Sequence, residues 1–304
     1  MILIATYNGM SYIREQLQSI LRQDYPDLRL LVHDDGSTDG TVEEIRRAAE
    51  RYPDKVVFIE DGITFKDAKK NFEHLLKMAE ADYIFLADQD DIWLPSKSSM
   101  MVRFLKEGEK EYGRDTPILA FCDCALVDSQ GHVLSSSMSD IWNIEPHSVT
   151  LELLLTRNVV CGCASCFNRR LLELALPIPC NAFMHDSWLA LVASAIGKII
   201  FVPPTLVLYR QHQKNTIGVQ RTKFSSTLLR YVSAPEKAIS SFRELGRAFI
   251  SQAKELRYLL ENLGFKNSRS YLIVSEYIDY RTGPAWRKVR YFSKFRKDSF
   301  LKEL

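Results

Sequence analysis

Residues 83–95 read YIFLADQDDIWLP. Tyr83 to Leu86 have the bulky, β-prone character of a buried strand, and Asp88, Asp90 and Asp91 crowd negative charge onto its carboxyl end. Carboxylates this close raise one another's pKa, so they must protonate, splay into water or share a cation. A buried strand that runs straight into a polar loop is how open α/β sheets present ligands, beyond the carboxyl ends of their strands.

The ninety residues before it repeat the pattern. Ile2–Ala5, Leu28–Val32 and Val56–Ile59 are short apolar runs with strand character. Between them Ile13, Leu17, Ile20 and Leu21 fall on one helical face, as do Phe72, Leu75, Leu76 and Ala79. Thr41 with Glu44 has the form of a capping box opening a helix to about Tyr52. The order β-α-β-α-β-α-β predicts an α/β fold with a mostly parallel sheet and crossover helices. Three of its strand ends carry polar signatures: Thr6-Tyr7-Asn8-Gly9, Asp34-Asp35-Gly36-Ser37, and Asp88-x-Asp90-Asp91. They are expected to converge on one edge.

Further on, Ile118–Cys122 and Ala125–Val127 with the turn Ser129–His132 predict a hairpin, and Leu151–Leu155 a short helix. His185-Asp186 leads a helix to about Ile196, with Asp186 as a candidate N-cap. Ile199–Val202 and Leu206–Tyr209 are expected as strands either side of Pro203-Pro204. After Gly218 the strand signal fades, and residues 236–262 and 268–280 read as helices. The resulting division is residues 1–220 as a catalytic domain, with halves 1–93 and 94–220, followed by a basic helical region over 221–304.

Composition is ordinary for a globular chain, 46% apolar and 26% charged over 304 residues, which excludes a disordered segment as the default. The net charge of +2 hides an asymmetry: residues 221–304 hold 18 Lys/Arg against 8 Asp/Glu, or +10, leaving −8 on residues 1–220. No run reaches the eighteen or so apolar residues of a spanning helix, and MILIATYNG lacks the form of a signal peptide, so a cytoplasmic location is expected. The six cysteines sit among apolar neighbours, as buried thiols do; FCDC and CGCASC also admit zinc, although neither has paired C-x₂-C spacing.

Each polar signature has a bland reading. Asp34 to Gly40 contains the residues that dominate turns, yet a carboxylate at a strand end can also accept from a nucleobase N–H or a ribose hydroxyl. The acidic loop would repel nucleic-acid phosphate, whereas Mg²⁺ or Mn²⁺ shared with a diphosphate would satisfy it. With neither G-x-x-x-x-G-K-[ST] nor a G-x-G-x-x-G after a strand, a glycine cradle for phosphate is excluded. His212 lies between Arg210 and Lys214 in a loop that reads as anion-facing. In residues 285–304, Arg287, Arg290, Lys294 and Lys297 oppose Tyr291, Phe292, Phe295 and Phe300, with Lys288 and Arg296 interrupting the apolar side; this is either a helix packed on the body or an interfacial helix on anionic lipid.

Taken together, ATYNG, HDDGSTDGT, LADQDDIW, GCASCFN, HDSWLALVASAIGKI and LYRQHQKNTIG resemble, in order and over about residues 1–220, the family 2 glycosyltransferases of GT-A fold, and among them the rhamnosyltransferase-like branch. The resemblance implies an inverting, metal-dependent transfer of a sugar, rhamnose from dTDP-rhamnose, onto a glycan or lipid-linked glycan of the bacterial surface. It implies nucleoside contacts from Thr6, Tyr7, Asn8, Asp34 and Asp35, with Asp35 accepting the base N–H. Asp90 would touch the ribose or the metal, Asp88 would complete the acidic, nucleotide-binding loop, Asp91 and His212 would hold the metal, and Asp186 would be the catalytic base. His185 stands where the wider family usually has Glu, a difference that touches donor choice. A UDP-hexose donor and a non-catalytic nucleotide-binding module are the alternatives, and a nucleotidyltransferase would need a Gly-rich basic loop near residue 5 that ATYNG is not.

Overall fold

The computed structural model describes residues 1–212, 235–284 and Phe295. Strands β1 (Ile2–Thr6), β2 (Leu30–Asp34), β3 (Val56–Ile59) and β4 (Tyr83–Ala87) alternate with helices α1 (Ile13–Leu21), α2 (Thr41–Arg51) and α3 (Ala68–Met78). All four strands are parallel, in the order β3-β2-β1-β4. Alternate residues point to opposite faces and both faces are covered, which is why these strands are apolar without a break. Leu3 and Leu31 pack with Phe72 and Leu75 of α3, while Ile2, Ile4, Leu30 and Val32 pack with Ile13, Leu17 and Ile20 of α1.

The sheet continues through β5 (Ile92–Trp93), β6 (Ile118–Val127), β7 (Val133–Ser135), β8 (Ser165–Asn168) and β9 (Lys198–Arg210). Its order is β3-β2-β1-β4-β8-β6-β9-β5, with β7 paired to β6. Strand β8 runs antiparallel to β4 and β6, whereas β6 and β9 are parallel. Around this half lie α4 (Lys97–Tyr112), α5 (Met138–Trp142), α6 (Leu151–Thr156), α7 (Arg169–Ala175) and α8 (His185–Ile196), then α9 (Pro235–Asn262) and α10 (Arg269–Thr282). The outcome is a mixed α/β architecture with a mostly parallel sheet, as the sequence predicts.

Four local expectations need correction. Strand β2 starts at Leu30 and not Leu28, because its ladder begins where Leu30 pairs with Ile2. The segments either side of Pro203-Pro204 form one strand, and the register jumps from Cys122↔Val202 to Asp123↔Thr205, so the two residues without an N–H drop out of the ladder. Ile118–Val127 is likewise one strand, while the expected hairpin forms between it and Val133–Ser135 across the Ser129–His132 turn. No capping box forms at α2: Gly40 is the cap residue, at φ 91°, and the Thr41 hydroxyl accepts instead from the Gly9 N–H.

Helices α9 and α10 share the main core. Ala253, Leu256, Leu260, Val274 and Tyr277 pack in the same cluster as Leu189 and Leu75, because apolar stripes on both helices have no other face to bury. Phe295 is buried against Tyr277 and Tyr280. The basic positions expected around it, Arg287, Lys288, Arg290, Lys294, Arg296 and Lys297, lie outside the described residues, as do Tyr291, Phe292 and Phe300. No described helix is long and apolar enough to cross a membrane.

Candidate active site

The loops after β1 and β2 interlock. Thr6 donates its hydroxyl to Asp34 Oδ1 at 2.7 Å, the Asn8 N–H donates to Ser37 Oγ at 2.7 Å, and the Thr38 N–H donates to Asn8 Oδ1 at 2.9 Å. Asp34 also accepts from the N–H groups of Gly36 and Ser37 and from the Ser37 hydroxyl, so its oxygens shape the loop. Gly36 sits at φ +82°, and a Cβ there would come within 2.8 Å of Lys66 Nζ.

Asp35 is buried and pins the segment after β3. Its carboxylate accepts from the N–H groups of Phe65, Lys66 (2.9 Å) and Asp67 (3.0 Å). Lys66 then places its ammonium 4.9 Å from the centre of the Tyr7 ring. Tyr7 is half exposed and turns an aromatic face toward solvent beside this carboxylate loop. Its backbone is clamped at both polar atoms by Gln89, which donates to Tyr7 O at 3.0 Å and accepts from Tyr7 N at 2.9 Å. Gln89 thus ties the loop after β1 to the acidic loop, a role that sequence reading missed because an amide between aspartates carries no distinctive pattern.

The three aspartates of that loop occupy different environments. Asp90 is partly open, and its Oδ2 meets His212 Nε2 at 2.7 Å, with the His212 ring stacked on Tyr12 at 4.8 Å. Asp91 is 1% exposed; its Oδ1 accepts the Arg210 N–H at 3.0 Å, while Oδ2 lies buried beside Cys163 with no well-formed hydrogen bond. Burial, then the Asp90 charge, pushes the Asp91 carboxyl up to about 7. Asp88 is also held well above the usual carboxylate range, by burial and by the charges of Asp91, Asp90 and Asp186. Asp186 stands close to this loop, since it accepts from the N–H of Gly162 and the next residue, Cys163, lies against Asp88 and Asp91.

A cation already lies beneath. Lys97 is fully buried, donates to the Cys163 carbonyl and sits over the Trp93 ring at 3.1 Å, and burial brings its pKa down to about 8. One lysine leaves most of the charge of three carboxylates uncompensated. Among the described residues the donor atoms that come together in this loop are those of Asp88, Asp91 and Cys163, within 4.8 Å of one another, whereas Asp90 pairs with His212; the carboxylate oxygens, one of Asp91's being orphaned, suit a hard divalent ion. Cys163 is a poor member of this set: its hydrogen bond to Cys124, with burial, raises its pKa well above the usual thiol value, so sulfur stays protonated. The other cysteines are free thiols, and none brings a second sulfur into either potential metal-ligand cluster found among the described residues.

Asp186 lies in the first turn of α8 and is not its cap; Met184 is. Its Oδ1 accepts the Ser187 N–H at 2.6 Å and its Oδ2 the Gly162 N–H at 3.0 Å. Burial outweighs these bonds and brings its pKa up to about 6. Gly162 is a further residue that sequence reading passed over: a Cβ there would stand 3.3 Å from Asp186 Cβ and 3.5 Å from His185 Nε2. Next to it His185 is buried, stacked on Phe72 at 4.0 Å, and burial with the Lys69 charge lowers its pKa to about 3, so it is neutral.

Thr6, Tyr7, Asn8, Asp34, Asp35, Asp88, Asp90, Asp91, Asp186 and His212 thus all stand at the carboxyl edge of the sheet. Arg210 is committed within the fold. It is 2% exposed and donates to the carbonyls of Asp90 (2.9 Å) and Ser129 (3.1 Å) and to Glu15. Lys214 lies outside the described residues.

A family model described as glycosyl transferase family 2 matches residues 1–173. The dTDP-rhamnosyl transferase RfbG of Shigella flexneri is 39% identical over 97 residues, 31% of this chain and 34% of that protein. An uncharacterised glycosyltransferase of Rickettsia typhi is 24% identical over 219 residues, 71% of this chain and 64% of its own length. The match therefore spans less than two thirds of either relative. Among solved structures, S. aureus TarS 1–349 in complex with UDP-GlcNAc aligns with a TM-score of 0.58 at 19% identity, covering 98% of this chain and 73% of that one. The mannosyltransferase PcManGT of Pyrobaculum calidifontis, in complex with GDP-Man and Mn²⁺, aligns at 0.56 and 17% identity, covering 97% and 79%. These likenesses identify the fold as GT-A.

Proposed function

The chain belongs to glycosyl transferase family 2, and on that premise we propose that it is an inverting, metal-dependent glycosyltransferase. It moves rhamnose from dTDP-rhamnose to a hydroxyl of a growing bacterial surface polysaccharide or lipid-linked oligosaccharide. The observation that carries this reading is the placement of Asp186, a carboxylate with its pKa raised to about 6, close to the acidic loop. The similarity to RfbG supports the donor. A UDP-hexose donor is the second reading, supported by the UDP-GlcNAc complex of TarS.

In this mechanism Tyr7 offers its exposed ring face to the base and Asp35 the adjoining carboxylate, with Thr6, Asn8 and Asp34 holding their loops in register. Asp88 completes the acidic loop against Asp91. Asp90, Asp91 and His212 would hold Mn²⁺ or Mg²⁺, and a bound cation would offset charge on the departing diphosphate. Imidazole with carboxylate favours Mn²⁺ over the more strictly oxygen-seeking Mg²⁺.

Asp186 accepts the proton of the acceptor hydroxyl as that oxygen attacks the anomeric carbon and the nucleoside diphosphate leaves from the opposite face. The Gly162 and Ser187 N–H groups fix the carboxylate, and its raised pKa makes it a stronger base than a solvated aspartate. Neutral His185 adds no charge beside it. The acceptor site and a peripheral association of the C-terminal region with anionic lipid complete the proposal.

The test is a panel of nucleotide sugars assayed for Mn²⁺- or Mg²⁺-dependent hydrolysis and thermal stabilisation. The expected result is stabilisation and turnover with dTDP-rhamnose above UDP-hexoses. Preference for a UDP-sugar selects the second reading, and no response to any donor overturns both.

A further inference from the structure

On the far side of the loop that Asp35 pins, His33, Asp61 and His74 come together. We infer that these side chains form a second divalent-metal site, selective for Zn²⁺, that clasps the segment after β3 to β2 and α3.

His33 points from β2 toward α3 and is 1% exposed. Asn71 and His74 stand three residues apart on α3 and so share the face that meets it. The Asn71 amide donates to the His33 carbonyl at 3.4 Å, which turns its oxygen to His33 Nδ1 at 2.7 Å. That oxygen faces Nδ1 and leaves Nε2 directed at Asp61. Nε2 faces Asp61 Oδ1 at 3.3 Å, a contact that either a ring proton or a cation held between the two can close. His74 Nε2 approaches the other Asp61 oxygen at 2.7 Å, and the imidazole rings stand 4.9 Å apart.

Two imidazoles and a carboxylate are a zinc donor set, and magnesium or calcium would prefer oxygen throughout. The Asn71 oxygen on the remote N–H of His33 is the outer partner that a ligating histidine needs. All three donor atoms lie within 4.8 Å of one another. Ligands of a tetrahedral zinc with bonds of about 2.0–2.1 Å stand roughly 3.4 Å apart, a closure that the partly exposed Asp61 and His74 side chains supply by small rotamer shifts. Their open side leaves room for water as a fourth ligand, and Phe65 covers both rings from above. Asp61 is already braced by accepting the Ile63 N–H at 2.9 Å. A metal here stiffens the same segment whose N–H groups bind Asp35. The site itself stands apart from the reading of the acidic loop.

The experiment titrates Co²⁺ into the metal-stripped full chain carrying Asp90→Asn, which weakens the other candidate cation site and leaves this one untouched. The expected result is one equivalent bound, with the visible absorption of a tetrahedral centre, displaced by Zn²⁺ and accompanied by a raised unfolding midpoint. Adding His74→Ala, a helix-compatible change at a partly exposed position, or Asp61→Asn, should weaken binding at least 100-fold. Absence of Co²⁺ binding in the Asp90→Asn chain overturns the inference, as does equal binding after His74→Ala.

Discussion

His212 Nε2 and Asp90 Oδ2 stand 2.7 Å apart although 122 positions separate them in the chain. The contact joins the segment after β9 to the loop after β4, and the stacking of His212 on Tyr12 adds the loop after β1. Three chain segments therefore meet at the point where the cation is proposed.

His212→Ala should lower Mn²⁺-dependent affinity for the nucleoside diphosphate by at least ~10-fold, while metal-free affinity changes little. Calorimetric titration with and without Mn²⁺ measures this. An equal loss in both conditions would place His212 on the nucleotide and not on the metal.

Asp186→Asn should reduce kcat by about 10²- to 10⁴-fold with donor affinity nearly unchanged, because the amide keeps the shape and loses the base. In the wild type, turnover should fall as pH drops through about 6, where the carboxylate protonates. A pH–rate profile of the wild type and donor titrations of the variant check both. Parallel collapse of donor binding would assign Asp186 to the donor.

Asp91→Asn should stabilise the metal-free chain at pH 8 and have progressively less effect as pH falls through about 7. The folded pKa is raised above the unfolded value, so the folded state binds the proton more tightly and the ionised carboxylate opposes folding above that pH. The comparison must be wild type against variant, since buried His185, with its pKa lowered to about 3, acts in the opposite sense on acidification. Denaturant unfolding at pH 5.5 and 8 gives the two differences; a constant gap contradicts the assignment.

Arg210→Met should destabilise the chain by about 2–4 kcal/mol, because it leaves the Asp90 and Ser129 carbonyls without their donor. The ion pair with Glu15, whose side chain is 57% exposed, contributes little of this. Urea unfolding reads the loss, and Glu15→Gln should cost less than ~1 kcal/mol.

Much of the architecture was legible because buried parallel strands are written in local composition. Tyr83–Ala87 and Ile2–Thr6 are apolar on both faces, and the helices between them show one apolar stripe. The strand Lys198–Arg210 was not legible as one element, since Pro203-Pro204 reads as a break unless the partner strand is known to skip them. The Thr41-x-x-Glu44 pattern failed for the complementary reason: a tertiary donor, the Gly9 N–H, claimed the hydroxyl that a local box would use.

By itself the sequence determined the αβ alternation and the crowding of carboxylates at strand ends, because strand burial and loop polarity depend on residues within a few positions of each other. Tertiary structure alone decided how those carboxylates differ: Asp90 opens toward His212, Asp91 is sealed behind Arg210, and Asp35 is committed to three N–H groups. Burial and hydrogen-bond partners set these environments, and the partners lie 30 to 32 positions away for Asp35 and 119 and 122 for Asp91 and Asp90, separations that only the folded chain closes.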